Sequence, residues 1–407
     1  MISVAEALAR VLAGLAPVST EIIPVGQGFG RVLAEDLVAR RTQPPFAVSA
    51  MDGYAARSAD LTALPARLRV VGYIQAGGRH DGSIGPGEAA RIFTGAPVPD
   101  GADCIVIQED TEAIDGPPRE VLVTEAAGPG RYIRPAGLDF REGEVGLRAG
   151  RVLSARDIGL AAAMNRPWLT VRRKPRIAIL PTGDEVVLPG EPVGPNQIVS
   201  SNGFALAALI EACGGIPIQL GIAPDEPGAL RDRAAGAAGA DLLVTTGGAS
   251  VGEHDLIRSA LGEAGLTLDF WNIAMRPGKP LMFGSLAGTP LLGLPGNPVS
   301  TVVCGLLFLK PAIDHLLGIP ATDRPAERAR LGADLPANDR RQDYLRATKT
   351  LDTDGATIAT AFERQDSSML SRLADADCLI IRPPHAAPAM AGEMVEILRF
   401  DSGGPRI

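Results

Sequence analysis

Four short segments combine glycine, hydroxyl and carboxylate residues as ligand-binding loops do: Pro181-Thr182-Gly183-Asp184-Glu185, Pro224-Asp225-Glu226-Pro227, residues 247–255 (Gly247-Gly248-Ala249-Ser250-Val251-Gly252-Glu253-His254-Asp255) and Pro295-Gly296-Asn297-Pro298-Val299-Ser300. Each follows a short apolar run, at 176–180, 217–222, 242–246 and 290–294. Glycine lets a backbone approach a ligand closely, and amides at a helix start attract anions, so 247–252 suits a phosphate. Carboxylates beside phosphates need a cation between them, most simply Mg2+. Glu185, Asp225 and Asp255 are therefore candidate metal ligands. The bland alternatives are real. Asp225 ahead of Glu226-Pro227 could simply cap a helix, and Thr182 and Asp184 could shape a turn. The Gly-Gly loop also lacks the Lys-Ser/Thr of a P-loop. Three acids on one rim favour the ligand reading.

Arg276-Pro277-Gly278-Lys279-Pro280 places two cations around a stiff turn, which suits a small oxyanion or a phosphate, although from spacing alone a solvated turn is the better description. Ser49-Ala50-Met51-Asp52-Gly53-Tyr54-Ala55 and Ile92-Phe93-Thr94-Gly95-Ala96-Pro97 put an acid and a hydroxyl at turns. By themselves Asp52 and Thr94 read as turn residues.

The elements that must carry these groups follow from periodicity. Ser3-x-x-Glu6 is a capping box ahead of an amphipathic helix, and Ser154-x-x-Asp157 caps a second helix that stops at Asn165. Between residues 42 and 134, β-branched runs at 68–73, 104–108 and 120–123 alternate with Gly- and Pro-rich turns, which predicts a small β module. From 172 to 320 the apolar runs alternate with helical segments at 202–213 and 229–238. That alternation predicts a doubly wound parallel sheet covered by helices on both faces, with ligands at the carboxyl ends of its strands. Strand-like segments return at 344–348, 357–360, 378–382 and 394–400. The expected fold class is α/β and multidomain. Residues 1–40 plus 136–171 form a mixed first domain, 41–135 an inserted β-rich module, 172–320 the central doubly wound α/β domain, and 321–407 a C-terminal β domain.

Composition narrows the function classes. Thirty-nine Lys+Arg against 47 Asp+Glu leave a net charge of −8, and aromatics make up 4%, so a nucleic-acid surface is not expected. Cys104, Cys213, Cys304 and Cys378 lie far apart with no CxxC pair, and the four histidines are scattered, which argues against a Cys/His metal site and for a reducing compartment. No apolar run reaches the roughly 18 residues that span a bilayer, and Glu6 is acidic where a signal peptide is basic. A cytoplasmic protein with no membrane partner is expected.

Taken together, the segments at 30–36, 49–55, 94–97 with 101–103, 182–185, 246–255, 277–280, 293–300, 344–346 and 367–370 resemble the molybdopterin molybdenumtransferase family, the MoeA type that includes the E domain of gephyrin. The matches occur in order over nearly the whole chain. The resemblance implies insertion of molybdate into adenylylated molybdopterin with release of AMP and a requirement for Mg2+, and it makes the central domain molybdopterin-binding. It also implies a homodimer in which the β module of one subunit faces the α/β domain of the other. Asp52 and Thr94 then become active-site residues contributed across the interface. Glu185, Asp225 and Asp255 surround the pterin, metal and phosphates, together with Thr182, Gly247, Gly248, Ser250, Gly252, Pro295, Gly296, Asn297 and Ser300. Lys279, Arg346 and one of Ser367 or Ser368 resemble positions that hold molybdate. A molybdopterin adenylyltransferase and molybdoenzyme-maturation proteins are candidate further partners. Arg276 stands where the family often has lysine, and Asn272 where a basic residue is common. A scaffold, a stand-alone adenylyltransferase and a tungstate-preferring paralogue are the competing readings. The intact Asp52 and Thr94 segments argue against the second.

Overall fold

The structure, a computed structural model, describes residues 1–247, 260–320 and 327–400. Its centre is a six-stranded sheet in the order Ile216–Gln219, Arg176–Pro181, Leu242–Thr246, Thr289–Leu294, Met282–Leu286, Leu266–Trp271. The first four strands are mutually parallel. Alternation along Arg176–Pro181 explains why both faces are covered. Ile177 and Ile179 pack with Leu206, Ile210 and Phe308 on one side, and Ala178 and Leu180 with Leu230, Ala234 and Leu261 on the other. Each fully buried Ile or Leu contributes on the order of 2 kcal/mol.

Two strands at the far edge were not anticipated. Met282–Leu286 runs antiparallel to Thr289–Leu294, and Leu266–Trp271 antiparallel to Met282–Leu286, so the sheet is parallel in its first four strands and mixed overall. Gly284 interrupts the apolar pattern that would have announced the first of them. It is required because a Cβ there would lie 2.1 Å from the Thr267 carbonyl oxygen.

A helix begins at Pro298 and runs to Leu316, with a π-helical stretch over Gly305–Leu309. By length and composition it could cross a membrane, and it is the single such helix among the described residues. However, 61% of its most apolar window is buried, and Val299, Val303, Phe308, Ile313 and Leu316 belong to the main core. It is the spine of the α/β domain. The N-terminal helix Val4–Ala13 packs onto the same core through Val4, Ala7 and Val11.

The capping signals divide. Ser154 and Asp157 form the complete reciprocal box, and Asn165 takes φ +60° after that helix. Ser3 accepts from the Glu6 amide, whereas the Glu6 carboxylate pairs with Arg10, so only half of the expected first box forms.

Between residues 53 and 123 a second six-stranded sheet is built from Gly53–Ala56, Ala66–Ile74, Glu88–Ile92, Cys104–Ile107, Thr111–Ile114 and Glu120–Val123. In the C-terminal region Gln342–Leu351 pairs with both Thr357–Ala361 and Cys378–Arg382. Through Glu327–Leu331 and Met394–Arg399 this closes a ring of five strands. The α/β domain lends that barrel the short strand Met275–Arg276, which pairs with Gln342–Leu351.

Candidate functional site

The chain enters the central sheet at Arg176–Pro181, steps to one side for Ile216–Gln219, then crosses to the other side for Leu242–Thr246. The carboxyl ends of the first and third of these strands therefore part at a reversal of strand order, where open α/β sheets hold ligands. A cleft of about 690 Å³ lies there. Of the residues expected from sequence, Thr182, Glu185, Asp225, Gly247, Pro295, Gly296, Asn297, Ser300 and Ser368 line it. Gly248, Ser250, Gly252 and Asp255 lie outside the described residues.

Close backbone contact shapes the floor. The Thr182 amide donates to the Thr246 carbonyl at 2.9 Å. Gly247 has φ +99°, and a Cβ on it would lie 2.5 Å from the Thr182 carbonyl oxygen. A Cβ on Gly296 would lie 3.3 Å from the Gly247 Cα. Glycine at both positions keeps this floor free of side chains. The Thr182 hydroxyl is buried here and has no hydrogen-bond partner among the described residues, a state that costs about 1–3 kcal/mol unless a ligand supplies one.

Periodicity did not single out Asn202, which also lines the cleft. Its Nδ2 donates to the Gly296 carbonyl at 2.7 Å and to the Thr246 hydroxyl at 3.0 Å, joining two of the four loops. The available signal was Ser200-Ser201-Asn202 at the head of the Asn202–Ala212 helix, three polar residues of which all line the cleft.

The acidic rim is strained electrostatically. Asp184 Oδ1 accepts the Asp225 amide at 2.9 Å. Burial, reinforced by repulsion from Asp184 and Glu185, pushes the Asp225 carboxyl above the ordinary carboxylate range despite a backbone hydrogen bond that opposes the shift. Among the described residues no three His, Cys, Asp or Glu side chains converge as a metal site. Glu185 and Asp225 supply two carboxylates of the expected set.

The barrel contributes the opposite rim. Asn297 Nδ2 donates to the Ser367 hydroxyl at 2.9 Å, and the Val299 amide donates to the Ser367 carbonyl at 3.1 Å. Ser368 donates its hydroxyl to Asp366 at 2.7 Å. Arg346 departs from its expected place. It is 1% exposed and does not line the cleft; Nη1 donates to the Met369 carbonyl at 3.1 Å, Nη2 to the Arg364 carbonyl at 3.4 Å and Nε to Gln365 Oε1 at 3.3 Å. Arg346 supports the Ser367-Ser368 loop from beneath, and desolvation holds its pKa below the usual guanidinium value.

Lys279 is exposed beside cleft-lining Pro280 and forms no ion pair among the described residues. Arg276 is engaged with Asp343, so the turn offers one free cation and not two. Asn272 takes φ +66°, a conformation Asn tolerates better than Lys or Arg, which accounts for its presence where a basic residue was expected.

Asp52 and Thr94 do not reach this cleft. They bond each other in the β module, where Asp52 Oδ1 accepts the Thr94 amide and the Thr94 hydroxyl, both at 2.8 Å. These two bonds, with a smaller contribution from Arg91, hold Asp52 below the ordinary carboxylate range.

Fold and cleft define a multidomain α/β protein with a glycine-floored cleft at a strand-order reversal. Residues 2–165 match the family described as MoeA N-terminal region (domain I and II), residues 178–315 that described as Probable molybdopterin binding domain, and residues 328–400 that described as MoeA C-terminal region (domain IV). Molybdopterin molybdenumtransferase 2 of Mycobacterium tuberculosis is 36% identical over 387 residues, covering 92% of this chain and 94% of that protein. The molybdopterin molybdenumtransferase of a Nostoc species is 35% identical over 390 residues, covering 94% and 89%. Two crystal structures of the molybdopterin biosynthesis MoeA protein of Pyrococcus horikoshii superpose with TM-scores of 0.84 and 0.83, at 32% and 28% identity, over 99% and 98% of this chain and all of theirs. The chain belongs to the molybdopterin molybdenumtransferase family.

Proposed function

We propose that this chain inserts molybdate into adenylylated molybdopterin and releases AMP, with Mg2+ as cofactor. The observation that carries the reading is the cleft floor, where bare glycine backbone meets a buried Thr182 hydroxyl with no hydrogen-bond partner among the described residues, beside a turn whose Lys279 adjoins cleft-lining Pro280. The relatives named molybdopterin molybdenumtransferase support the substrate class.

Molybdate is a dianion that must meet a dithiolene beside an anionic phosphate. Like charges about 4 Å apart repel by about 4 kcal/mol at an effective dielectric near 20, so the site must supply compensation. Lys279 supplies a cation. The Ser367 hydroxyl, whose oxygen accepts from Asn297, keeps its proton for an oxyanion. Gly247 and Gly296 admit phosphate oxygens close to main-chain amides. Ordering two anionic substrates on one floor supplies catalysis by positioning and electrostatics.

The donor chemistry fits a hard divalent cation. Glu185 and Asp225 offer only oxygen, and the Asp225 carboxyl is raised first by burial and then by repulsion from Asp184 and Glu185, which a bound cation would relieve. They would hold Mg2+ together with Asp255, and the ion when bound would polarise the phosphoanhydride.

The reading includes a homodimer in which Asp52 and Thr94 of one copy close the cleft of the other. Exposed Met51 and Tyr73 near Asp52 and Thr94, and exposed Ile198 and Val199 lining the cleft, offer apolar surface for that contact. Four cysteines spread along the chain with no CxxC pair suit the cytoplasm. A molybdopterin adenylyltransferase as substrate donor and molybdoenzyme-maturation proteins as product acceptors complete the reading. The test is AMP release from adenylylated molybdopterin by the purified protein with and without molybdate. Release should require molybdate and Mg2+, and molybdate-independent release or none rejects the reading.

A further inference from the structure

Arg276 and Lys279 share one turn and both are exposed, but Arg276 is paired with Asp343 whereas Lys279 forms no ion pair among the described residues. Arg276 Nε donates to Asp343 Oδ2 at 3.0 Å, and Nη2 donates to the same oxygen. Nη2 also lies 3.4 Å from Asn338 Oδ1, and Nη1 3.5 Å from Asp339 Oδ2. The Asp343 side chain is 5% exposed, and its other oxygen is buried without a hydrogen-bond partner among the described residues. Deprived of Arg276, that carboxylate would be a buried charge with no direct partner, so the pair is strongly held.

The backbone reinforces the pair. Met275–Arg276 lies parallel to Gln342–Leu351 with Arg276 opposite Asp343. Gly278 has φ +111°, and a Cβ there would lie 2.4 Å from Cys304 Sγ in the core helix. The Lys279 carbonyl accepts the amides of Ile273 and Leu281 at 3.0 Å each. The turn is thus fixed against the barrel, the core helix and itself, and its Lys279, next to cleft-lining Pro280, forms no ion pair among the described residues.

From this geometry we infer that Arg276 is a positioning residue: with Asp343 it fixes the turn from which Lys279 reaches the oxyanion, and it does not itself contact substrate. The inference rests on the proposed reading of the cleft. It also gives arginine a reason to stand here, since its planar fork holds one carboxylate oxygen with two nitrogens and a lysine ammonium would make a single contact.

The test measures molybdate KM, kcat and melting temperature of the full-length protein for R276A, D343N, the double variant, R276K and K279A. Because the pair acts as one unit, R276A and D343N should each raise molybdate KM about tenfold with kcat within about twofold, and the double variant should match the singles. R276K should fall between wild type and R276A. A wild-type KM in D343N beside a raised KM in R276A, or singles that multiply in the double variant, would show a direct substrate contact and overturn the inference. Should D343N fail to fold, R276K decides, because a direct ligand replaced by another cation would keep wild-type KM. K279A separates the two levels of argument. A raised KM in K279A with no effect of R276A or D343N overturns the positioning role alone, and an unchanged KM in K279A overturns the reading of the cleft.

Discussion

Asp225 in the α/β cleft and Asp52 in the β module both sit at turns, and their surroundings treat their charge in opposite ways. Asp225 is partly buried, with Asp184 and Glu185 as neighbours, and its carboxyl is pushed above the ordinary range. Asp52 accepts two hydrogen bonds from Thr94 and is held below it. A carboxylate raised by burial and like charge is incomplete without a cation or a proton. One held low by its own turn is complete without either, and its other oxygen accepts no hydrogen bond among the described residues. The cleft therefore has the character of a receiving site, and in the proposed dimer the module would bring a rigid acid to it.

The sharpest way to break this contrast is to damage each half separately. Asp225→Asn and Asp52→Asn should each lower kcat by about 10²–10³-fold, the scale on which preorganised electrostatic groups contribute. If the two halves come from different copies, mixing the variants should restore activity. Half of randomly assorted dimers are mixed, and one of their two sites is intact, which gives about a quarter of wild-type turnover. Mixed samples as inactive as their parents would place both residues in the same copy's site.

Much of this cleft was legible before any coordinates. The alternation of Ile177 and Ile179 against Ala178 and Leu180 announces a doubly covered strand, and the glycines and acids after each strand announce the rim. What sequence could not give are the contacts that join distant loops. Asn202 reaches Gly296 across 94 positions, and Arg276 reaches Asp343 across 67. Arg346 looks like an anion ligand by type, and only packing reveals that its guanidinium faces main-chain carbonyls. Periodicity reports which face of an element is apolar, whereas the partner of a polar side chain depends on how separate elements come together.

Gly247→Ala probes the floor on which the cleft depends. The added methyl meets the Thr182 carbonyl, and φ +99° strains any L-residue. Destabilisation of about 2–3 kcal/mol, read by denaturant melts, should accompany loss of turnover. The corresponding Gly296→Ala change, with its nearest contact at 3.3 Å from the Gly247 Cα, should cost less stability while still narrowing the ligand space. Equal effects of the two would mean that the floor yields more readily than its geometry indicates.

A smaller effect separates ligand-facing from merely buried hydroxyls. Thr182 and Thr245 both bury hydroxyls that have no hydrogen-bond partner among the described residues, and of the two only Thr182 lines the cleft. Replacement by valine removes an unsatisfied group at nearly constant shape, so each variant should gain up to about 1 kcal/mol in stability. Thr182→Val should also raise KM for the pterin substrate, whereas Thr245→Val should leave it alone. Matching kinetics in the two variants would deny Thr182 a role at the ligand.

The smallest effect bears most directly on the contrast between the two acids. A carboxyl raised in the folded state favours folding in its protonated form, so that contribution is fully present at low pH and is lost as pH rises through the folded-state pKa. At neutral pH, Asp225→Asn should therefore be more stable than wild type by about 0.5 kcal/mol. The difference should vanish below the ordinary carboxylate range, where the acid is protonated in both folded and unfolded chains. Millimolar Mg2+ should raise the melting temperature of wild type more than that of the variant, because a bound cation stabilises only the chain that can hold it. Asp52→Asn should do the reverse: its acid is held low, so the stability it contributes is present at neutral pH and is lost as pH falls through its folded-state pKa. Parallel pH profiles for the two variants would mean that cleft and module treat their carboxylates alike.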